Sequence, residues 1–204
     1  MKKSEFSEKL YETLCIHELL NIFSNSAIYC PSQNKEGKLG YDALFNVKRF
    51  RKVIVIQFKV AEKYLKEPKY FSPGRNCYKF NIHQKNNYFQ HNRLVTYNRG
   101  KKYIALYCTP KFVGFKELYS YCQKSNLINN SALLYPQIKI NDQKYHFINY
   151  CDSAAYQHSK KLDIVQMISL DILCDLVEKL DGVSANEFEQ IVSGCDNKVS
   201  FLLI

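Results

Sequence analysis

One run stands out in the alternation of apolar and polar positions along this chain. Val53-Ile54-Val55-Ile56 is continuous and β-branched, and polar groups enter only at its end, with Gln57 and Lys59. A short unbroken apolar run of this kind predicts a buried central strand. Side chains alternate across a strand, so Gln57 and Lys59 are expected on one face and Phe58 on the other. The preceding stretch, Gly40 to Val47, also reads as extended, and the basic link Lys48–Lys52 is short enough to fold it back as a hairpin partner. That pairing would gather the carboxylate of Asp42, the amide of Gln57 and the ammonium of Lys59 at one end of two strands.

Phe6, Leu10, Leu14, Leu19-Leu20 and Phe23 recur at helical spacing and predict a first helix with a core-facing stripe. Ser4 is its expected N-cap, with Glu5 and Glu8 in the first turn, where the helix dipole favours acids. Ala27 to Cys30 reads as a short strand. Pro31 to Gly40 is a polar loop that carries Glu36 close to Asp42, as a further ligand or a group positioning water. Cys77 to Ile82 alternates as a strand, and Gln84 to Tyr97 reads as a polar helix with Tyr88, His91, Leu94 and Val95 inward, His91 in a structural role. Tyr103 to Cys108 is a second buried strand, closed by Pro110. Phe115 to Ser125 follows as a helix, and Leu133–Tyr135 and Lys144–Tyr150 as extended segments. Leu162 to Leu180 shows the clearest helical spacing of the second half, as core cover or a dimer face, and Phe201–Ile204 reads as a last docked strand.

Composition narrows the class. A chain of 204 residues, 46% hydrophobic and 14% aromatic, is expected to fold as a single globular domain, residues 1–204. Lys and Arg number 29 against 19 Asp and Glu, and the resulting charge of +10 favours an anionic partner, nucleic acid first. The densest basic segment, Ala61 to Arg75, interleaves Lys63, Lys66, Lys69 and Arg75 with Tyr64, Tyr70 and Phe71. Cations can track phosphates and aromatic faces can stack on bases, so this is the candidate substrate surface. The eight cysteines form no Cys-x-x-Cys pair and no zinc spacing with histidines, and they read as reduced thiols of a cytoplasmic protein. No apolar run approaches the roughly 20 residues that would span a membrane, and none marks a signal peptide.

Asp42 followed by Gln57-Phe58-Lys59 resembles the signature of the PD-(D/E)XK nuclease superfamily, in a form with Gln in place of the second acid. Further landmarks look like those of a bacterial group of that superfamily. They are Ser4-Glu5-Phe6 with Tyr11-Glu12, Pro31 to Glu36 with Gly40-Tyr41-Asp42, Tyr107 to Phe112, Asn130-Ser131-Ala132, and Asp142 to His146. The resemblance implies an α/β restriction-endonuclease-like fold, a mixed central β-sheet flanked by helices. It implies a Mg²⁺-dependent (or Mn²⁺-dependent) endonuclease that hydrolyses phosphodiester bonds in double-stranded DNA, in bacterial defence against foreign DNA. Asp42 would then be the bridging metal ligand, Gln57 would offer its amide oxygen, and Lys59 would orient the attacking water. Glu12 on the first helix would be directed at the metal, with Glu8 and Glu18 as alternatives. Such a small domain implies a homodimer or a larger defence-system partner. The alternatives are a nuclease-like subunit that binds nucleic acid or a partner without cutting, and an RNA-directed nuclease.

Overall fold

The structure is a computed structural model that describes residues 1–24, 26–31, 36, 39–47, 52–66, 68–69, 71–82, 88–99, 102–141, 145–152, 154–158 and 162–179. In chain order its elements are β1 (Lys2–Lys3), α1 (Glu8–Ile22), β2 (Ser26–Tyr29), β3 (Ala43–Val47), β4 (Lys52–Phe58), β5 (Glu62–Lys63) and β6 (Tyr78–Ile82). There follow α2 (Tyr88–Arg99), β7 (Tyr103–Pro110), α3 (Phe115–Gln123), β8 (Ser131–Tyr135), β9 (His146–Tyr150), β10 (Ala155–His158), β11 (Leu162–Ile168) and α4 (Leu170–Lys179). The strands form one sheet in the order β1-β5-β6-β9-β10-β11-β8-β7-β4-β3-β2. The protein is therefore of the α/β class, with a large mixed sheet and helices flanking it.

The apolar run predicted as a central strand is β4, antiparallel to β3 and parallel to β7. Its alternation divides the core. Val53 and Val55 enter one apolar cluster, and Ile54, Ile56 and Phe58 enter the other. The second cluster is closed by α1 through Tyr11, Cys15 and Leu19, by Leu118 of α3, and by Leu173 and Val177 of α4. The first is closed by Leu94 of α2 and by Phe80, Ile82, Ile148 and Tyr150 from β6 and β9. Three strands separate β9 from β7 in the sheet, yet the Tyr150 hydroxyl donates to the Pro110 carbonyl at 2.6 Å and lies 2.8 Å from Thr109 Oγ1. The Phe80 and Tyr107 rings lie 5.1 Å apart. The sheet thus curls until one half covers the other.

Three expectations are corrected. Leu10, expected in the core-facing stripe of α1, is exposed, and Tyr11 and Cys15 are buried there instead. The helix predicted over Leu162–Leu180 is strand β11 followed by helix α4. Apolar residues at 164, 165, 167 and 168 fit helical spacing, but pairing with β10 and β8 overrides it, and the helix begins after Ser169, whose Oγ accepts from Ile172 N at 3.2 Å. The N-cap of α1 is Ser7, not Ser4: its side chain accepts from Leu10 N at 3.1 Å. Ser4 is held instead in a turn with Phe6, whose ring packs on Phe112. Strands β1, β5 and β10 were not foreseen. Asp142, the side chain of Tyr88 and the segment Phe201–Ile204 lie outside the described residues.

Glu18 is a structural residue. Buried near the C-terminal end of α1, it accepts from Leu127 N at 2.8 Å and Ile128 N at 3.0 Å. Glu18→Ala would strand two donors whose residues are almost wholly buried, at a cost of about 3 kcal/mol or more. A thermal melt should show a drop of several degrees, and an unchanged melt would mean that water replaces the carboxylate freely.

Candidate active site

The β3–β4 pair ends where Asp42 and Gln57 come level. Ala43 pairs with Ile56, and Asp42 N donates to Ile56 O at 3.0 Å. Asp42 Oδ2 accepts from Phe58 N at 2.7 Å, so the carboxylate is fixed against the motif strand itself. Its neighbour Gly40 adopts φ +81, and a Cβ there would lie 3.0 Å from the Arg93 Cβ and 3.1 Å from Gln90 backbone. The glycine lets the approach to Asp42 run against α2.

Gln57 is 2% exposed. Its Nε2 donates to Gln90 Oε1 of α2 at 3.2 Å, which leaves Gln57 Oε1 buried with no hydrogen-bond partner. Unpartnered buried acceptors are costly, and this one belongs to the residue level with Asp42 across the β3–β4 pair. Lys59 follows, 8% exposed, its backbone N–H donating to Cys108 O of β7 at 3.0 Å. Its ammonium lies 3.2 Å from Glu8 Oε1, while the other oxygen of Glu8 accepts from Val60 N at 3.3 Å. Glu8 therefore grips both the side chain of Lys59 and the backbone beyond it.

Glu12, one turn further along α1, is buried and paired with Lys9 at 2.6 Å. Burial drives the carboxyl of Asp42 up to about 7, against the pull of Lys59 and the Phe58 N–H bond, and the charges of Glu8 and Glu12 push it further up. Burial and the charges of Glu12 and Glu8 likewise raise Glu36, opposed by Lys9 and Lys59. These mutual effects bring Asp42, Lys59, Glu12, Glu36 and Glu8 into one electrostatic neighbourhood. Glu18 stands apart from it in its capping role. Among the described residues, no group of three or more His, Cys, Asp or Glu is placed to hold a metal ion.

His91 is structural, as its sequence context suggested. Ile138 O can only accept, so Nε2, 2.8 Å away, carries the proton, and Nδ1 accepts from the Tyr107 hydroxyl at 3.0 Å. Burial lowers its pKa to about 4. A histidine whose folded pKa lies below its unfolded value of about 6.5 stabilises fully above the latter, and the contribution is lost as pH falls towards 4. His91→Gln should flatten that part of a melting-temperature profile, and an unaltered slope would show that other groups set it.

The basic segment is placed differently from expectation. Lys66, Lys69 and Arg75 are exposed and Lys63 is half-buried, but the aromatic residues between them serve packing. Phe71 is buried against Tyr156, with ring centroids 5.4 Å apart, and Tyr64 donates its hydroxyl to Asn149 Oδ1 at 2.6 Å. Tyr70 lies outside the described residues. The cations remain available to phosphates; Phe71 and Tyr64 are committed to the fold. Reading for function missed Gln90, for which nothing in the sequence near residue 57 gives a signal. It also missed the exposed aromatics Phe115 and Tyr119, whose i,i+4 spacing was legible.

Fold and site together define an α/β protein with a buried carboxylate, amide and ammonium at the end of the antiparallel β3–β4 pair. Comparison of the chain with models of known families, with curated proteins and with solved structures returns no match. No described helix is long and apolar enough to cross a membrane.

Proposed function

We propose that this protein is a Mg²⁺-dependent endonuclease of the restriction-endonuclease-like fold, cleaving phosphodiester bonds in DNA. The observation that carries this reading is the gathering of Asp42, Gln57 and Lys59 at the end of the β3–β4 pair, with the Oε1 of Gln57 buried and without a hydrogen-bond partner. The fold is compatible with it: a helix, the antiparallel strands β2-β3-β4, two further strands β5 and β6, a helix and then β7 parallel to β4.

The donor set fits a hard divalent cation. Asp42 and the amide oxygen of Gln57 would hold it, and Mg²⁺ normally takes only one or two protein carboxylates and fills its remaining positions with water and phosphate oxygens. When bound, such a cation supplies charge for the phosphate and a more acidic water. The chain's own groups do the rest. The Phe58 N–H fixes one oxygen of Asp42 and leaves the other free to turn outward. Lys59, held by Glu8, offers a fixed ammonium where negative charge grows on the phosphate, and such a group is most effective when pre-oriented in a poorly hydrated site. Glu12 and Glu36 add negative potential that favours a cation over a second anion.

A role in defence against foreign DNA belongs to this proposal through the resemblance alone. The test is nicking of supercoiled plasmid with Mg²⁺ or Mn²⁺, with RNA as competitor. Cleavage that requires the metal and resists RNA competition supports the reading. Cleavage of RNA in preference to DNA would replace the substrate. Tight DNA binding with no cleavage under either metal would make this a binding subunit.

A further inference from the structure

A cleft of about 290 Å³ opens beside Lys59. Lys3, Ser4, Phe6, Lys79 and Phe80 are among its walls, with the Glu8–Lys59 pair at one end. Three lysines and two carboxylates line this space, Lys59 paired with Glu8 and Lys79 lying 3.9 Å from Glu62, beside the buried rings of Phe6 and Phe80. A ligand suited to it presents an anionic group to the ammonium ions and a flat apolar body to the floor. A nucleotide of an open strand has that shape, whereas a base held in a duplex must first be unstacked, at a cost in free energy.

The rim of the cleft leads to a second feature. Ser4 and Phe6 line the cleft, and Glu5 between them accepts from Phe115 N at 2.9 Å, at the start of α3. Glu5 N in turn donates to Val113 O at 2.9 Å, so the rim and the first turn of α3 are tied together. Phe115 is 51% exposed and Tyr119 60% exposed, one helical turn apart, with exposed Lys116 between them in sequence. The two carboxylates nearby are already engaged: Glu5 pairs with Lys2 at 2.9 Å, and Glu117 accepts from Gly114 N at 3.0 Å. Two large aromatic faces on a lysine-bearing turn match the way unpaired bases are held, by stacking and charge without sequence readout.

We propose that the nuclease site is fed by a single strand of DNA, which runs from the cleft at Lys59 over the Ser4–Phe6 rim and stacks its bases on Phe115 and Tyr119. This rests on the nuclease reading above and names the form of its substrate. Lys3 and Lys79 neutralise phosphates within the cleft, and the aromatic pair captures the bases beyond it. In duplex DNA the bases are already stacked on one another, so the aromatic pair discriminates against it.

The test is equilibrium binding, in EDTA, of a labelled single-stranded oligothymidylate and a labelled duplex of equal length. Phe115→Ala with Tyr119→Ala should weaken single-strand binding by about tenfold or more, and duplex binding by less than about twofold. Phe115→Leu with Tyr119→Leu keeps the apolar cover of the helix without the aromatic faces and should behave alike. Lys3→Ala with Lys79→Ala should reduce the slope of log affinity against log salt by about 1.4 for the single strand. Equal losses on both DNA forms overturn the proposal. So does unchanged single-strand affinity in variants of a protein whose plasmid cleavage still requires Lys59, a result that leaves the nuclease reading standing. Absence of binding to either DNA, together with absence of Lys59-dependent cleavage, overturns both.

Discussion

Lys59→Ala should lower the rate of metal-dependent plasmid cleavage by at least about 100-fold, the loss usual when one preorganised group facing developing charge is removed. Lys59 is suited to such a role because it is buried, tied through its backbone to β7 and gripped by Glu8. A mobile surface lysine would have to be ordered in each turnover. The alanine variant also removes the apolar stem of a buried side chain, so a second variant separates packing from charge. Lys59→Met keeps the apolar stem without the charge and should be as inactive as Lys59→Ala, with a smaller change in melting temperature. Equal cleavage by wild type and both variants would sink the assignment of Lys59 and point to a contaminating nuclease.

Asp42→Asn should abolish the same cleavage and yet stabilise the metal-free protein. The folded-state pKa of Asp42 lies at about 7, above its ordinary 3.8. Over that window the folded protein holds a proton that the unfolded chain releases, so stability falls as pH rises from about 4 to about 7 and stays reduced above it. The shift is about three units, and at about 1.4 kcal/mol per unit the cost at pH 8 approaches an upper bound of about 4 kcal/mol. Asparagine carries no charge to bury and can still accept from Phe58 N. In EDTA at pH 8 the variant should melt higher by on the order of 5–15 °C, and the gain should shrink at pH 5. Mg²⁺ should raise the melting temperature of wild type and leave that of Asp42→Asn unchanged, because only a form that binds the ion is stabilised by it. A variant that melts lower than wild type at pH 8 would show that the carboxylate is already compensated.

The sequence carried the local parts of this structure well and the long-range parts poorly. The run Val53–Ile56 announces β4 because β-branched residues without polar interruption suit a strand buried on both faces. The fold-back of the preceding extended segment onto β4 was legible too, from its own apolar run and the short basic link between them. Helix α3 was legible from its own periodicity. The β10–β11 pair was not, since residues 162–168 are strand only because β8 and β10 flank them. The one local hint was Ser169 followed by Asp171, a helix start in the middle of a presumed helix. In the site, charge type was readable and pairing was not. Glu8, Glu12 and Glu18 lie on one helix, and only the fold assigns them to Lys59, to Lys9 and to a pair of backbone amides.

The curling of the sheet has a consequence for how the chain is made. The face of β7 that bears Tyr107 and Thr109 is covered partly by Tyr150, which leaves the ribosome some forty residues later. Until then β4 and β7 can pair, but one side of their sheet is covered only in part, by α2. Pairings so distant in sequence form slowly, and β-rich surfaces left open in that interval invite sticking to other chains. Synthesis at lower temperature or with a chaperone in excess should therefore raise the soluble yield of the full chain. A version cut after α3 should aggregate, although it contains Asp42, Gln57 and Lys59.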